Sequence, residues 1–291
     1  MSNNAALHDV LFVVVTCTKD RSREKALINL VKSLNKQHEV VAFDRNLLLF
    51  DNASVTTTPL DNLTVPARFA FSSKNIGYWS AINWALDNAS RVFEKEFKFI
   101  HPIESDLVLF HMERLVEARD FLETRKDYIS VRTQEFSVRH CKRFLKNSRS
   151  IFPVRRSAVA DFNGVTNETV SFDRIEGFDN VYGSNWHSKV PALHRLEEFQ
   201  SVFKDLAKQS EITEQDFMRA MHQRAPQVAV MDKGIFYAQL NNPFWPWEKR
   251  WLTGSWMNEE MAERHGYLST RRSFIDTQYP EIIELNQPVS L

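Results

Sequence analysis

The run Val10–Thr16, VLFVVVT, constrains the fold of this chain more than any other stretch of its sequence. An unbroken apolar and β-branched run of this length is typical of a strand buried on both faces of a mostly parallel sheet. The segment Ser22–Lys36 follows it with apolar residues at helical spacing and charged residues on the opposite face. A buried strand followed by an amphipathic helix predicts an α/β architecture.

Strands and helices continue to alternate over the first part of the chain. The apolar patterns predict further strands at Val40–Phe43, Leu47–Phe50, Phe69–Phe71 and Phe97–Ile103, and a second helix at Ser80–Phe93. The sequence therefore predicts an open α/β sheet, in which ligands bind outside the carboxyl ends of the strands. Polar clusters follow three of these strands, at Thr16–Asp20, Asp51–Ser54 and Glu104–Asp106.

The second half has a weaker pattern, with shorter elements and an aromatic, turn-rich stretch at Val159–His187. We predict helices there at Met112–Arg125, Leu193–Ala207 and Thr213–Gln223. We predict short strands at Tyr128–Arg132 and in VAVM and IFYA, on either side of Asp232–Gly234. We expect residues 1–240 to form one domain, with a first half at 8–110 and a second half at 111–240. Residues 241–291 are expected to be an aromatic extension packed on that domain.

The low glycine content excludes two common classes of nucleotide-binding protein. The chain has only 7 glycines, against 22 phenylalanines and 7 tryptophans, and its glycines are scattered singly. A Rossmann fingerprint and a Walker A loop both need closely spaced glycines to bring the backbone against phosphates. No window of the sequence matches either pattern, so dinucleotide-binding and P-loop chemistry are excluded.

The numbers of charged residues and of cysteines indicate which partners this protein binds and in which compartment it lies. Lysine plus arginine and aspartate plus glutamate each number 37, so the chain lacks the net positive charge that drives nucleic-acid binding. Two cysteines, Cys17 and Cys141, cannot build a disulfide framework, which favours a reducing compartment. Val10–Val15 is too short to span a bilayer. We expect a cytoplasmic protein with no transmembrane segment, although the aromatic tail Trp245–Trp251 leaves room for peripheral membrane contact.

Seven segments occur in an order that resembles one known family. Their order and spacing are similar to those of the large glycosyltransferase family 2, whose members have the nucleotide-diphosphosugar transferase, or GT-A, fold. In sequence order the segments are VVVTCTKDR from Val13, LLLFDNAS from Leu47, NIGYWSAINWAL from Asn75, FIHPIESD from Phe99, FPVRRSAV from Phe152, GFD from Gly177 and ITEQDF from Ile212.

The resemblance implies a GT-A-like open mixed, mostly parallel sheet flanked by helices. It makes residues 8–110 the nucleotide-sugar-binding half and residues 111–240 an irregular acceptor-side half. It implies a hexosyltransferase-type inverting enzyme that moves a sugar from a nucleotide-diphosphosugar, with a UDP-sugar favoured, to a hydroxyl of a glycan or polysaccharide precursor. Mn²⁺ or Mg²⁺ would assist. Two alternatives remain open: a non-catalytic GT-A-like nucleotide-binding domain, and a nucleotidyltransferase of similar fold, although the glycine- and arginine-rich opening loop usual in the latter is absent.

The resemblance also implies a donor site. Asp51 ends a predicted strand, where its carboxylate can accept hydrogen bonds from a uracil or ribose edge; alternatively, Asp-Asn-Ala-Ser is only a turn. The Asn75–Gly77 loop precedes a helix whose N-terminus favours an anionic diphosphate, unless it is a plain strand-to-helix connection. The residues expected to bind the nucleotide-sugar are Thr16, Asp51, Asn52, Asn75, Gly77, Ser105 and Arg155.

Two acids, Glu104 and Asp106, are expected to hold the metal. Alternate side chains at a strand end point to the same side, so both carboxylates can meet one ion. The family usually has an aspartate at the first of these positions, and Glu104 replaces it. The metal offsets negative charge on the leaving diphosphate as the glycosidic bond breaks.

The segment ITEQDF is expected to supply the catalytic base. An inverting transfer needs a carboxylate near the acceptor hydroxyl, and Glu214 is the first choice, with Asp216 as the other candidate. Thr213 replaces an acid of the family pattern, and Thr213 with Asp216 also fits a helix N-terminal cap. Trp186 is the expected acceptor-side aromatic residue.

Overall fold

The computed structural model describes residues 7–43, 45–135, 138–139, 171–186, 191–206, 212–225, 227–239 and 259–268. Within these ranges the strands are β1 Val10–Thr16, β2 Leu47–Asn52, β3 Ala67–Ser72, β4 Phe99–Glu104, β5 Leu107–Leu109, β6 Ser130–Arg132, β7 Phe172–Ile175, β8 Phe178–Ser184, β9 Ala192–Arg195, β10 Val228–Met231 and β11 Phe236–Ala238. The α-helices are α1 Arg21–His38, α2 Tyr78–Phe93, α3 Leu115–Thr124, α4 Leu196–Leu206, α5 Glu214–Arg224 and α6 Glu259–His265.

Nine of the described strands form one mixed sheet in the order β3-β2-β1-β4-β9-β6-β10-β8-β7. β1 pairs in parallel with β2 and β4, and β2 with β3, so these four strands share one direction. β9 is antiparallel to both β4 and β6, β10 is parallel to β6, and β8 is antiparallel to β10 and β7. Only β8 and β9 therefore oppose the rest. β5 and β11 form a separate antiparallel pair.

Helices cover both faces of the sheet, each over its own apolar core. On one face, residues of α1 and α3 share an apolar cluster with alternate residues of β1, among them Phe12 and Val14. On the other face, residues of α2, α4 and α5 share a cluster with the intervening residues, among them Val13 and Val15. β1 is buried along its whole length because both of its faces are covered, which is why its sequence is continuously apolar. The predicted fold class, a mostly parallel α/β sheet flanked by helices, is confirmed.

Several predicted elements have different bounds or a different structure. Val40–Phe43 is not a strand: Val41 and Phe43 are buried against the α1 face without pairing, and the backbone N–H of Phe43 donates to Nδ1 of His38. The helix predicted from Leu193 begins at Leu196, because Ala192–Arg195 pairs with β4 and β6 instead. A 3-10 turn at Met112–Arg114 precedes α3.

The described part of the second half is more regular than its sequence indicates. The stretch predicted to be rich in turns contains the β7–β8 hairpin, and Gly177 lies in its turn with a φ of +85°. The described part of the aromatic extension includes α6, whose His265 ring lies 4.8 Å from that of Phe110. The amide of Asn29 on α1 donates to the Leu268 carbonyl oxygen at 2.8 Å. None of the helices in the described ranges is long and apolar enough to span a membrane.

Candidate functional site

The strands that carry the predicted donor-site residues, β1, β2 and β4, have their carboxyl ends at the same end of the sheet. Strand order reverses at β1, because β2 and β3 lie on one side of it and β4 on the other. In open α/β sheets, such a switch point leaves a crevice at the carboxyl ends of the strands. Thr16 pairs with Asp51, and Val15 pairs with Glu104. The residues expected to contact the nucleotide and those expected to hold the metal therefore lie at the carboxyl ends of neighbouring strands.

Thr16 and Asp51 are buried polar residues with unused hydrogen-bonding capacity. Thr16 is 0% and Asp51 5% exposed, and within the described part of the chain neither Oγ1 of Thr16 nor Oδ1 of Asp51 has a hydrogen-bond partner. The other carboxylate oxygen of Asp51 accepts from the Ser54 backbone N–H at 3.3 Å. Burial raises the pKa of Asp51, and the hydrogen bonds from Ser54 oppose the rise. Buried polar atoms are normally hydrogen-bonded, so these two atoms indicate a missing partner.

Asn52, the last residue of β2, is hydrogen-bonded to the Asn75–Gly77 loop at the start of α2. The amide of Asn52 donates to Oδ1 of Asn75 at 3.0 Å, and its carbonyl oxygen accepts from the Ile76 backbone N–H at 2.8 Å. Oδ1 of Asn75 also accepts from the Gly77 backbone N–H at 2.9 Å. Gly77 caps α2 with φ +84° and ψ +157°, a conformation that only glycine adopts readily. Both asparagine side chains thus shape the loop at the helix N-terminus.

Glu104 ends β4, Ser105 and Asp106 form the turn to β5, and all three residues are half-buried. The backbone carbonyl of Asp106 accepts from the Gln239 N–H at 2.9 Å. The Gln239 side chain donates to the carbonyl oxygens of Ala26 and Leu107, both at 2.9 Å. Gln239 is therefore a structural residue that anchors the acidic turn to α1 and β5.

Tyr78, which the sequence analysis does not single out, lies within electrostatic range of the predicted acids. Its hydroxyl oxygen is buried although the ring is partly exposed. Burial first, and then the negative charges of Glu104, Glu214 and Asp106, raise the pKa of the Tyr78 phenol well above its ordinary value. The predicted metal ligands and the predicted base thus all act electrostatically on one phenol, which stays protonated and can donate a hydrogen bond. Its position directly after Gly77 was the available sequence signal.

Aromatic packing holds the amino ends of α2 and α5 beside each other. The ring of Trp79, next to Tyr78, stacks on Phe217 with centroids 5.1 Å apart and planes 28° apart. Phe217 is buried in the first part of α5, directly after the predicted base segment. Phe199 of α4 packs against the same ring at 5.2 Å. This cluster brings Glu214 on α5 toward the edge of the sheet where β4 ends.

The two candidate bases differ in their local roles. Asp216 forms a capping box: its Oδ2 accepts from the Thr213 backbone N–H at 3.0 Å, and the Thr213 hydroxyl accepts from the Asp216 N–H at 3.2 Å. Arg219 donates to the other carboxylate oxygen at 3.2 Å. The hydrogen bonds from Thr213 lower the pKa of Asp216. Glu214 begins the helix and is exposed, and it contributes to no part of the cap.

The acidic turn fits a divalent cation that arrives with phosphate. Within the described ranges, no group of three or more histidine, cysteine or acidic side chains could hold a metal ion. Mg²⁺ at nucleotide sites is bound by one or two carboxylates, with phosphate oxygens and water completing its shell. Glu104 and Asp106 meet that requirement at a strand end, so the donor set fits a metal shared with a diphosphate.

The remaining predicted residues lie elsewhere. Trp186 is 5% exposed, and the Arg132 guanidinium lies 3.7 Å from the centre of its ring. That ring packs with Phe172 at the β7 end of the sheet, in a small apolar cluster. Arg155 lies outside the described residues. Two surface clefts, of about 440 and 520 Å³, lie near Lys98 and Tyr128, at the end of the sheet opposite the carboxyl ends of β1, β2 and β4. None of the predicted site residues lines them.

Comparisons with known proteins add a likeness of fold. No protein-family model matches the chain, and no curated protein matches it significantly. Among solved structures, Staphylococcus aureus TarS in complex with UDP-GlcNAc is 17% identical, with a TM-score of 0.48 over 88% of this chain and 64% of that one. Glucosyl-3-phosphoglycerate synthase from Mycobacterium tuberculosis, with Mn²⁺, UDP and glucosyl-3-phosphoglycerate, is 12% identical, with a TM-score of 0.43 over 91% and 83%.

The chain spans less than two-thirds of the TarS chains that it matches. Both of these solved proteins are described with UDP or a UDP-sugar. With TM-scores below 0.5 and identities below 20%, however, the likeness concerns the fold alone. The mixed α/β fold of this chain is shown by its own sheet and helices.

Proposed function

We propose that this chain is an inverting glycosyltransferase that moves a sugar from a nucleotide-diphosphosugar, preferably a UDP-sugar, to a hydroxyl acceptor. One observation carries the proposal: Glu104 and Asp106, predicted for the metal, and Glu214, predicted as the base, all raise the pKa of the Tyr78 phenol, and Glu104 ends a strand beside the one that ends in Thr16, which pairs with Asp51. Their convergence at the switch point of the sheet supports a single site for donor, metal and base.

The donor would bind along the edge formed by β1 and β2. Thr16 and Asp51 would bind the nucleoside, because each has a buried oxygen without a partner among the described residues. The N-terminus of α2, which begins after Gly77, would face the diphosphate, since the first backbone N–H groups of a helix attract anions. Glu104 and Asp106 would hold Mn²⁺ or Mg²⁺, which when bound offsets negative charge on the diphosphate.

Glu214 would act as the general base. The acceptor oxygen forms a bond to C1 of the sugar while the bond from C1 to the diphosphate oxygen breaks, and the nucleoside diphosphate leaves. The proton of the acceptor hydroxyl passes to the Glu214 carboxylate. Asp216 is less suited to this role, because its carboxylate is already hydrogen-bonded in the capping box. Tyr78 would remain protonated and orient a carboxylate by hydrogen bonding.

Turnover of UDP-sugars by variants of the two acids tests the proposal. Nucleoside diphosphate release is measured with a panel of UDP-sugars and Mn²⁺, for wild type, Glu214→Gln and Asp216→Asn. We expect Glu214→Gln to lower kcat by about 10²- to 10⁴-fold, as is usual for loss of a general base. Asp216→Asn should weaken the helix cap and leave most turnover intact.

A matched control separates catalysis from general effects of removing a charge. Glu197 is also an exposed glutamate in the first turn of a helix, α4. It lies beside the start of β4, at the end of the sheet opposite the proposed site. Glu197→Gln should leave kcat unchanged. Equal turnover by wild type and Glu214→Gln would remove Glu214 from the role of base, and absence of UDP release from every donor by the wild type would contradict the proposed activity.

A further inference from the structure

The edge strand β3 carries two exposed phenylalanines on one face. Phe69 is 39% and Phe71 53% exposed, and their rings lie nearly parallel, with centroids 6.3 Å and planes 13° apart. β3 is the last strand on its side of the nine-stranded sheet, so this aromatic surface borders solvent. Apolar surface of this kind at the rim of a candidate site is typical of a surface that a ligand covers.

The pairing register places Phe71 in the same row as the unpartnered polar residues. Thr16 pairs with Asp51, and Asp51 pairs with Phe71. Paired residues of neighbouring parallel strands lie about 4.8 Å apart and point to the same face of the sheet. The row thus runs from two buried oxygens, Oγ1 of Thr16 and Oδ1 of Asp51, to an exposed aromatic ring at the open edge.

The preceding row is different in kind. Val14 pairs with Leu49, and Leu49 pairs with Phe69. The positions that Thr16 and Asp51 occupy in the other row are thus held here by two apolar core residues of the α1 face. Phe69 lies two residues farther from the carboxyl end of β3 than Phe71. Phe71 alone combines an exposed ring with a neighbouring carboxylate that lacks a partner for one oxygen among the described residues.

We propose that Phe71 is the stacking platform for the nucleobase of the donor, which deepens the proposed function and rests on it. A nucleobase has the two properties that the row requires: N–H groups on its edge that can donate to Asp51, and a flat face that can stack on a ring. Stacking on an aromatic side chain is possible for every base, so Phe71 provides affinity without selecting the base. Asp51 and Thr16 select the base through hydrogen bonds to its edge.

Calorimetric titrations with UDP and with inorganic pyrophosphate, both in Mn²⁺, test this role. Pyrophosphate is the matched probe because it lacks the base and ribose. We expect Phe71→Ala to raise the Kd for UDP by roughly 5- to 150-fold, the range for loss of one base–aromatic contact. Its Kd for pyrophosphate should stay the same. Phe71→Trp should keep the UDP affinity, and Phe69→Ala, which removes the neighbouring ring, should match wild type.

The outcomes distinguish this inference from the proposed function. If wild type binds no UDP, both are overturned. If wild type binds UDP and Phe71→Ala binds it equally well, only the stacking role is overturned. An equal loss of UDP and pyrophosphate in Phe71→Ala also overturns it, because the ring would then support the fold. Dissociation of a dimer in sedimentation, with UDP affinity unchanged, would show that the ring contacts a second copy of the chain instead.

Discussion

At the scale of single residues, Glu135 shows how burial affects stability. Burial is the main cause that raises the pKa of this carboxyl to about 7, and Asp232 adds to the rise while Arg114 and Lys233 oppose it. The folded protein therefore binds the proton more tightly than the unfolded chain does. Stability contributed by this group is complete below the unfolded pKa of about 4.5 and is lost as the pH rises through 7.

We therefore expect Glu135→Gln to stabilise the protein at neutral and alkaline pH. Glutamine keeps the shape of the side chain and removes the charge that burial disfavours. The gain should be near zero at pH 4 and grow to about 1 to 3 kcal/mol at pH 8. Urea unfolding of both proteins at several pH values measures it. A gain that is independent of pH would show that the carboxyl does not titrate as described.

Gly77 is the residue whose backbone most restricts substitution near the site. Its φ of +84° and ψ of +157° are strained for any L-residue, yet a Cβ atom built there lies more than 4 Å from every neighbour among the described residues. We expect Gly77→Ala to destabilise by about 1 to 3 kcal/mol through backbone strain alone. Thermal unfolding measures the loss, with Gly266→Ala as comparison at a second positive-φ glycine, which directly follows α6. An unchanged midpoint for Gly77→Ala would contradict this conformation.

The sequence predicted the residues at the strand ends but not Tyr78. Thr16, Asp51 and Glu104 could be predicted because each follows an apolar run, and the carboxyl ends of parallel strands meet at one edge. Tyr78 had no such signal, since an aromatic residue at a helix start is usually a packing residue. Its position depends on how α2 and α5 pack together, a long-range contact through Trp79 and Phe217 that no local pattern encodes.

At the scale of elements, the cap of α5 positions the proposed base. Thr213 and Asp216 satisfy each other's backbone N–H groups, which fixes where the helix begins and hence where Glu214 lies. We expect Thr213→Ala to destabilise the protein by about 1 kcal/mol. It should also lower kcat for sugar transfer, because Glu214 would no longer be held at a fixed helix start.

Thr213→Ser is the matched control for the cap. Serine keeps the hydroxyl that accepts from the Asp216 N–H, so both stability and kcat should stay close to wild type. Chemical denaturation and UDP release measure the two properties on the same samples. If Thr213→Ala loses stability while kcat is unchanged, the cap does not position the base.

The predicted elements succeeded where one pattern dominated. β1 has its predicted bounds, and the cap of α5 at Thr213 is confirmed, because a continuous apolar run and a threonine-x-x-acid motif each have one structural meaning. β9 was missed because Ala192–Arg195 adjoins a helix with an apolar pattern of its own. The β7–β8 hairpin was missed because β7 has only its first and last residues buried, a pattern that resembles a loop.

At the scale of the whole molecule, a buried histidine connects the two halves of the sheet. Nε2 of His101 on β4 lies 2.8 Å from Oγ1 of Thr133, which follows β6. Pro102 is next to it, and β4 pairs with β9 only at Phe99 and Ile100, so side chains replace the missing backbone bonds there. Burial lowers the pKa of His101 to about 3. The histidine is therefore neutral in the folded protein at every ordinary pH.

Protonation of the unfolded chain should then make the whole fold sensitive to acid. The unfolded histidine takes up a proton near pH 6.5 and the folded one near 3, so stability falls as the pH decreases through this window. Uptake of one proton on unfolding changes the free energy of unfolding by about 1.4 kcal/mol per pH unit. We expect His101→Phe to lack this contribution to the pH dependence of stability. Urea unfolding between pH 4 and 7 measures the slopes. Identical slopes for the two proteins would contradict a neutral buried His101.

The central claim is that the carboxyl ends of β1, β2 and β4 form one site for a nucleoside diphosphate and a divalent cation. Calorimetric titration with UDP, in Mn²⁺ and in chelator, tests it most directly for wild type, Asp51→Asn and Asp106→Asn. We expect wild type to bind UDP more tightly in Mn²⁺, Asp106→Asn to lose that metal dependence, and Asp51→Asn to bind weakly in both conditions. UDP affinity that is the same in all three proteins and in both conditions would contradict the site.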